Sequence, residues 1–260
     1  MRLSTEEADE QRSVSDRLLL IMDAVAAAPG EVGLTELARL TGIKKATVHR
    51  LASDLLAHRM LERGAYGYRL GLHVFELGQQ VPASRRLRTS ARPFMSDLVT
   101  ATGETVHLGV LEGTGILCIE RLTGRRSAQA AFGSWLPAYC TALGKVILAY
   151  SHESAAERTL AEPMPKRTGA TITDPLRLAR ELEKIRDAGV AYDREEWTAG
   201  IVCVAAPIVV EGYVGRDGHR GVAALSVTGP AGRMQPARVA SAVRTAALTI
   251  SRSLGFPQLR

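Results

Sequence analysis

Between positions 44 and 53 the chain carries Lys44, Lys45, Thr47, His49, Arg50 and Ser53. Lysine and arginine supply fixed positive charge for phosphate oxygens, while lysine, arginine, threonine and histidine can exchange hydrogen bonds with base edges. These residues interleave with Val48, Leu51, Leu55 and Leu56, whose spacing gathers the apolar side chains on one face of a helix. Residues 44–59 contain neither Pro nor Gly, so one helix can span them with its polar face outward. A solvated helix of no particular function has the same pattern, and the neighbouring elements decide between the two readings.

A second set, Cys140, Cys203, Asp193, His107 and Lys145, could in principle meet in a cleft and perform catalysis. No GxSxG, HExxH or P-loop accompanies them, so the chain does not read as an enzyme, and no cofactor is expected. Cys118, Cys140 and Cys203 are far apart and form no CxxC pair, which suits a reduced, cytoplasmic protein. The rival reading is a metal or redox sensor that uses Cys140 and Cys203 with a histidine. No Cys or His pair has ligand spacing, so such a site would have to be assembled wholly in three dimensions. His107, flanked by strand residues, reads as a satisfied structural histidine.

Charge supports the nucleic-acid reading. The net charge of +6 is modest, but residues 33–73 hold seven Lys and Arg against three acids, and Arg85, Arg86, Arg88 and Arg92 follow in an acid-free run. Glu6, Glu7, Asp9 and Glu10 lie in a polar tail over residues 1–12. Every apolar run is interrupted well before the length of a membrane span.

The elements that must position these groups follow from periodicity and punctuation. Leu18, Ile21, Met22 and Val25 recur at helical spacing until Pro29-Gly30. A short helix follows Thr35 and stops at Gly42, and the three to four residues before the next helix make the tight connection of a helix-turn-helix. Residues 60–63 and 68–70 flank Gly64-Ala65-Tyr66-Gly67, a hairpin that forms a wing. Residues 71–102 read as a helical linker, interrupted near Pro82 and restarted around Pro93.

Beyond residue 103 the pattern is mixed. Residues 106–111 and 116–121 form a hairpin, and residues 190–193, 201–210 and 221–227 are further strands. Thr141 caps a helix over 142–150. Asp174, Pro175 and Gly189 bracket another over 175–188, and residues 237–254 close the chain as a helix ended by Gly255-Phe256-Pro257. The expected class is α+β, with a winged helix-turn-helix over 13–70, the linker over 71–102 and a mixed α/β domain over 103–260.

Gly33-Leu-Thr-Glu-Leu-Ala-Arg-Leu-Thr-Gly-Ile-Lys-Lys-Ala-Thr-Val-His-Arg-Leu51, continuing to Tyr68-Arg-Leu-Gly71, resembles the DNA-binding domain of the IclR family of bacterial transcriptional regulators. Gly133-Ser-Trp-Leu-Pro137, Thr141-Ala-Leu-Gly-Lys145, Gly189-Val-Ala-Tyr-Asp193, Gly200-Ile-Val-Cys203-Val-Ala-Ala-Pro207 and Ala224-Leu-Ser-Val-Thr-Gly-Pro230 resemble its effector-domain blocks, in order. The likeness spans roughly residues 13–255. Lys44 departs from a common Pro, Ala46 from a common Ser, and Tyr213 to Arg220 looks like an enlarged loop.

The resemblance implies a GAF-like effector-binding domain, homodimers formed through the DNA-binding domains and linker, pairing of dimers into tetramers, and control by a small metabolite. The expected function is a regulator, in the sense of a repressor, whose affinity for double-stranded operator DNA responds to an organic acid. Lys44, Lys45, Thr47, His49 and Arg50 would face the major groove, Arg63 and Arg69 the backbone or minor groove, and Arg17 a further phosphate. Position by position, the resemblance places Ala142, Leu143, Asp193, Cys203, Ser226 and Thr228 around the effector; Trp135, Leu136 and Tyr139 are expected as walls only by their proximity in sequence to the 142–150 helix. From the residues alone, Cys203, Ser226 and Thr228 read as ordinary core. A carboxylate at Asp193 would repel a bound acid unless the ligand brings a donor, so a hydroxy, hydrated keto or phenolic acid suits it better than a plain dicarboxylate.

Overall fold

The computed structural model describes residues 12–125, 135–214 and 220–255. The acidic residues of the tail, Gly133-Ser134, most of the Tyr213–Arg220 loop and Phe256-Pro257 lie outside them. The chain divides into two units, Met1–Pro82 and Ala83–Arg260.

The first unit opens with α1, Val14–Ala27, whose Ser13 and Asp16 form a reciprocal capping box. Helix α2, Leu34–Thr41, begins with Gly33 in the cap position, two residues earlier than Thr35 suggests. Gly42 adopts a left-handed φ of 68° that ends α2, and three residues later α3 runs over Lys45–Ala57 with Lys44 as its cap. The sequence extends this helix to Arg59, but Arg59 takes a left-handed φ of 59° and its N–H and that of Met60 close onto Leu56 and Leu55 carbonyls. Strands β1, Leu61–Arg63, and β2, Tyr68–Leu70, pair antiparallel as the wing. Val32 exchanges two backbone hydrogen bonds with Tyr68 and fastens the wing to the α1–α2 connection. Ile21, Leu37, Val48, Leu51 and Leu61 fill one core. Helix α4, Leu72–Gln79, buries none of its residues, and Leu72, Phe75 and Leu77 stand exposed on it.

The second unit begins within α5, Pro82–Thr102, which passes through Pro93 without a break. The expected interruption near Pro82 is present, between Gln79 and Pro82, but the helix restarts at Pro82 itself and not around Pro93. Pro93 lies on the exposed side, where water can satisfy the carbonyl that loses its N–H partner, while Leu87, Ala91, Met95 and Leu98 hold the opposite stripe in the core.

A six-stranded antiparallel sheet follows in the order β5-β4-β3-β8-β7-β6. Its strands are β3, Thr105–Glu112, β4, Gly115–Leu122, β5, Trp135–Pro137, β6, Ala191–Arg194, β7, Ile201–Val214, and β8, Arg220–Pro230. Side chains alternate between its faces. Val106, Leu108, Val204, Leu225 and Val227 share one core with α5 and with α9, Pro236–Ser253. Cys203, Ala205 and Ala224 share another with α6, Ala142–Tyr150, and α8, Pro175–Ala188. Helix α7, Glu153–Ala161, and strand β5 have no counterpart in the sequence reading. No described helix is long and apolar enough to cross a membrane.

Candidate functional site

The first unit presents an exposed basic face. Lys45 opens α3, and Lys45, His49 and Arg50 are exposed beside Lys44, while Thr47 is half-buried. Arg50 lies 3.9 Å from Asp54 across one turn, a distance and exposure at which the pair constrains the guanidinium little. Arg63 stacks on the Tyr68 ring at 5.5 Å, and Arg69 pairs with Glu62 at 3.1 Å, so both wing arginines are held in place at the surface. Arg17 is half-buried in the first turn of α1. At the wing tip Tyr66 is 89% exposed, and its N–H donates to the Glu31 carboxylate at 2.6 Å. This aromatic tip and its clamp were not singled out from the sequence, where Tyr66 is only a turn residue and Glu31 is 35 positions away.

In the second unit, strand register brings the named polar residues onto one sheet face. Asp193, Cys203, Thr228 and Thr105 occupy one cross-strand rung, and Ser226 and His107 occupy the next. The Cys203 Sγ and Thr228 Oγ1 are 3.0 Å apart, and Thr228 Oγ1 is 3.4 Å from His107 Nδ1. Cys203 belongs to the core shared with α6, so this polar face is turned toward that helix. The Thr141 hydroxyl accepts from the Gly144 N–H and fixes the helix start. Leu143 reaches across to the β3 backbone at Gly109, where an added Cβ would come within 3.3 Å of Leu143 Cδ1. The first N–H groups of α6, those of Ala142 and Leu143, lack intrahelical acceptors by geometry and lie at the positive end of the helix.

All these residues are buried, yet among the described residues Thr105 Oγ1 and His107 Nε2 have no hydrogen-bond partner, and Ser226 Oγ has at most the weakly bonding Cys203 thiol. His107 is therefore not the fully satisfied structural histidine expected from its strand position: it faces Ser226 on one side and Arg121, another donor, on the other, and among the described residues Nε2 has no partner. Three such atoms lie on adjacent rungs, and each can take part in a hydrogen bond with a polar group brought to it. Of the expected walls, Leu136 is half-buried against the same core, and the Tyr139 hydroxyl donates to the Pro165 carbonyl. Trp135 instead lies exposed against Gly115 at the sheet edge.

A buried charge network borders this face. Lys145, fully buried in α6, donates to Glu196 at 2.6 Å and lies 3.7 Å from Glu181. The Glu196 N–H in turn donates to Asp193 Oδ1 at 2.7 Å. Burial pushes the Asp193 carboxyl up to about 7, opposed by that N–H and reinforced by the Glu196 charge. Burial, with the Arg121 charge, holds His107 down to about 4. Burial also lifts the thiols of Cys140 and Cys203 to about 12, which keeps them protonated and poorly suited to metal or redox chemistry. Among the described residues no three His, Cys, Asp or Glu side chains are grouped to hold a metal ion.

The two titrations oppose one another. Asp193 burdens the fold increasingly as pH rises from about 4 to 7, because the unfolded carboxyl ionises first. His107 burdens it increasingly as pH falls from 6.5 toward 4, because the unfolded imidazole protonates first. Asp193→Asn should therefore gain stability over the parent above pH 7 and lose it more steeply on acidification. Urea midpoints across pH 4–8 read this difference, and a pH-independent offset between the two proteins would contradict it.

Residues 15–65 match the IclR helix-turn-helix domain, and residues 79–252 match the bacterial transcriptional regulator IclR C-terminal domain. The HTH-type transcriptional regulator XynR of Escherichia coli is 32% identical over 250 residues, which cover 93% of this chain and 97% of that protein. The transcriptional repressor IclR of the same species is 30% identical over 245 residues, covering 91% of this chain and 87% of the repressor. An IclR homologue from Microbacterium hydrocarbonoxydans, solved in complex with 4-hydroxybenzoate, superposes with a TM-score of 0.84 at 27% identity, covering 93% of this chain and 99% of the other.

Proposed function

Because the chain belongs to the IclR family of bacterial transcriptional regulators, which are not enzymes, we propose that it is a repressor whose grip on operator DNA is set by a hydroxylated organic acid bound on the polar face beneath α6. The observation that carries the ligand half is the set of buried polar atoms at Thr105, His107 and Ser226 beside Thr228, Cys203 and Asp193. An acid placed there can direct its carboxylate to the N–H groups of Ala142 and Leu143 and its hydroxyl to Asp193 or to neutral His107. The phenolic acid held by the Microbacterium homologue has both groups, which supports this ligand class. Repressors among the relatives support the sign of regulation.

For the DNA half, Lys44, Lys45, Thr47, His49 and Arg50 enter the major groove with α3, Arg63, Arg69 and Tyr66 flank it from the wing, and Arg17 adds a phosphate contact. Two copies are required to span successive major grooves about 34 Å apart. The exposed Leu72, Phe75 and Leu77 of α4 supply an apolar surface suited to a homodimer, and sedimentation of the full chain at micromolar concentration should give the dimer or a pair of dimers. Coupling follows because a ligand can shift DNA affinity only by binding the DNA-competent and incompetent arrangements unequally.

The ligand reading is tested by thermal shift. At 100 times its dissociation constant a ligand stabilises its domain by about 2.7 kcal/mol, so millimolar 4-hydroxybenzoate should raise the midpoint while benzoate should not. Ser226→Ala combined with His107→Phe should abolish the response. An equal shift by benzoate, undiminished by Asp193→Asn, would refute the role assigned to the hydroxyl.

A further inference from the structure

A separate cleft of about 610 Å³ lies between α8 and the end of β6. Arg177, Arg180, Glu181 and Lys184 follow one face of α8 at intervals of three and four, and Arg194 and Glu196 face them from the strand end. Its size is that of a small-molecule site and far too small for a duplex.

The charges in it are unevenly matched. Both carboxylates turn inward to the buried Lys145, Glu196 at 2.6 Å and Glu181 at 3.7 Å. Among the described residues none of the four wall cations is paired with a carboxylate: Arg180 donates only to the Leu176 carbonyl, and Arg194 stacks on Tyr192 at 4.7 Å. Four converging cations so arranged raise the local concentration of anions and favour a partner with more than one negative charge. Glu196 adds a second requirement. It is buried, one oxygen is committed to Lys145, and among the described residues Oε2 has no partner. A carboxylate oxygen left dry accepts a hydrogen bond from any O–H brought to it.

We propose that this cleft is a second ligand site, which takes a small anion of two or more negative charges that also carries an O–H donor. Hydroxylated polycarboxylates, hydrogen phosphate and the phosphate monoesters of polyols share that chemistry. Glu196 lines this cleft and its N–H donates to Asp193, so one residue links the cleft to the polar face.

Calorimetry on the full chain with citrate, inorganic phosphate and tricarballylate tests the site, because tricarballylate keeps the three carboxylates of citrate and lacks its hydroxyl. Citrate should bind, more weakly as salt rises, and tricarballylate should bind about tenfold less tightly. The relative affinity of citrate and phosphate tells whether carboxylates or a phosphate supplies the charge. Arg180→Gln with Lys184→Gln, and separately Arg177→Gln with Arg194→Gln, should each weaken citrate binding at least about tenfold with the melting temperature unchanged, since these are exposed side chains. The singly charged 4-hydroxybenzoate should not compete, which separates this site from the one beneath α6. Failure of both citrate and phosphate to bind, or binding indifferent to both double variants, overturns the site. Equal affinity for citrate and tricarballylate overturns the donor requirement placed on Glu196.

Discussion

Alanine at Lys45 and Arg50 together is expected to weaken operator binding by about 100-fold or more while the fold stays intact. Each side chain stands exposed at the start or on the outer face of α3, where a base or phosphate contact is worth about 1–3 kcal/mol, and a dimer loses every contact twice. Neither supports the core: Val48, Leu51, Ala52 and Leu55 occupy the opposite face, and the Arg50–Asp54 pair at 3.9 Å contributes little. The two losses separate by salt. If Lys45 contacts phosphate, its removal should reduce the slope of log affinity against log salt by about one per copy without altering sequence preference. If Arg50 reads a base, its removal should relax the preference at one operator position. Anisotropy titrations at several salt concentrations, on an operator selected from random duplex by the parent protein, measure both. Binding at full strength by the double variant would remove α3 from the interface.

The second large effect concerns the buried lysine. Lys145→Met should destabilise the second unit by about 3–5 kcal/mol, because it leaves Glu196 charged, buried and without its cation. This is a large fraction of the 5–15 kcal/mol that holds an ordinary domain together. Lys145→Met with Glu196→Gln should recover much of the loss, since a neutral pair needs no counter-charge. Urea unfolding of the single and double variants reads the difference. If the double variant is no more stable than Lys145→Met, the ion pair is not the cause. Restored stability with an altered midpoint shift by 4-hydroxybenzoate would show that the pair also positions Asp193 through the Glu196 N–H.

Local signals in the sequence were strong where backbone chemistry is decided within a few residues. Thr141 caps α6, and Asp174, Pro175 and Gly189 bracket α8, at the expected positions, because a cap needs only its own turn. The helix-turn-helix spacing and the wing are legible for the same reason. Pro93 misleads because a local rule favours a helix start there, whereas α5 already begins at Pro82 and the buried stripe from Leu87 to Leu98 carries it through. Helix α7 was missed because its few apolar residues, such as Ala155, Ala156 and Leu160, make a weak periodic signal.

The polar face is a matter of register, and register is set by pairings across long separations. Asp193 meets Cys203 and Cys203 meets Thr228 only once β6, β7 and β8 are aligned. Resemblance located four of these residues on their blocks, but it gave no sign that Thr105 and His107 complete the rungs. The Lys145–Glu196 pair spans 51 positions, and Val32 fastens Tyr68 across 36, so neither has a local signature.

The measurement that bears most directly on ligand-controlled DNA binding is operator affinity of the full chain, titrated by anisotropy in the presence of 4-hydroxybenzoate or benzoate. Binding at least about fivefold weaker is expected with 4-hydroxybenzoate, within the usual range of coupling between sites, with no change in benzoate and no response in the Ser226→Ala, His107→Phe variant. Operator affinity that is indifferent to 4-hydroxybenzoate, or that responds equally to both acids and in the variant, would contradict it.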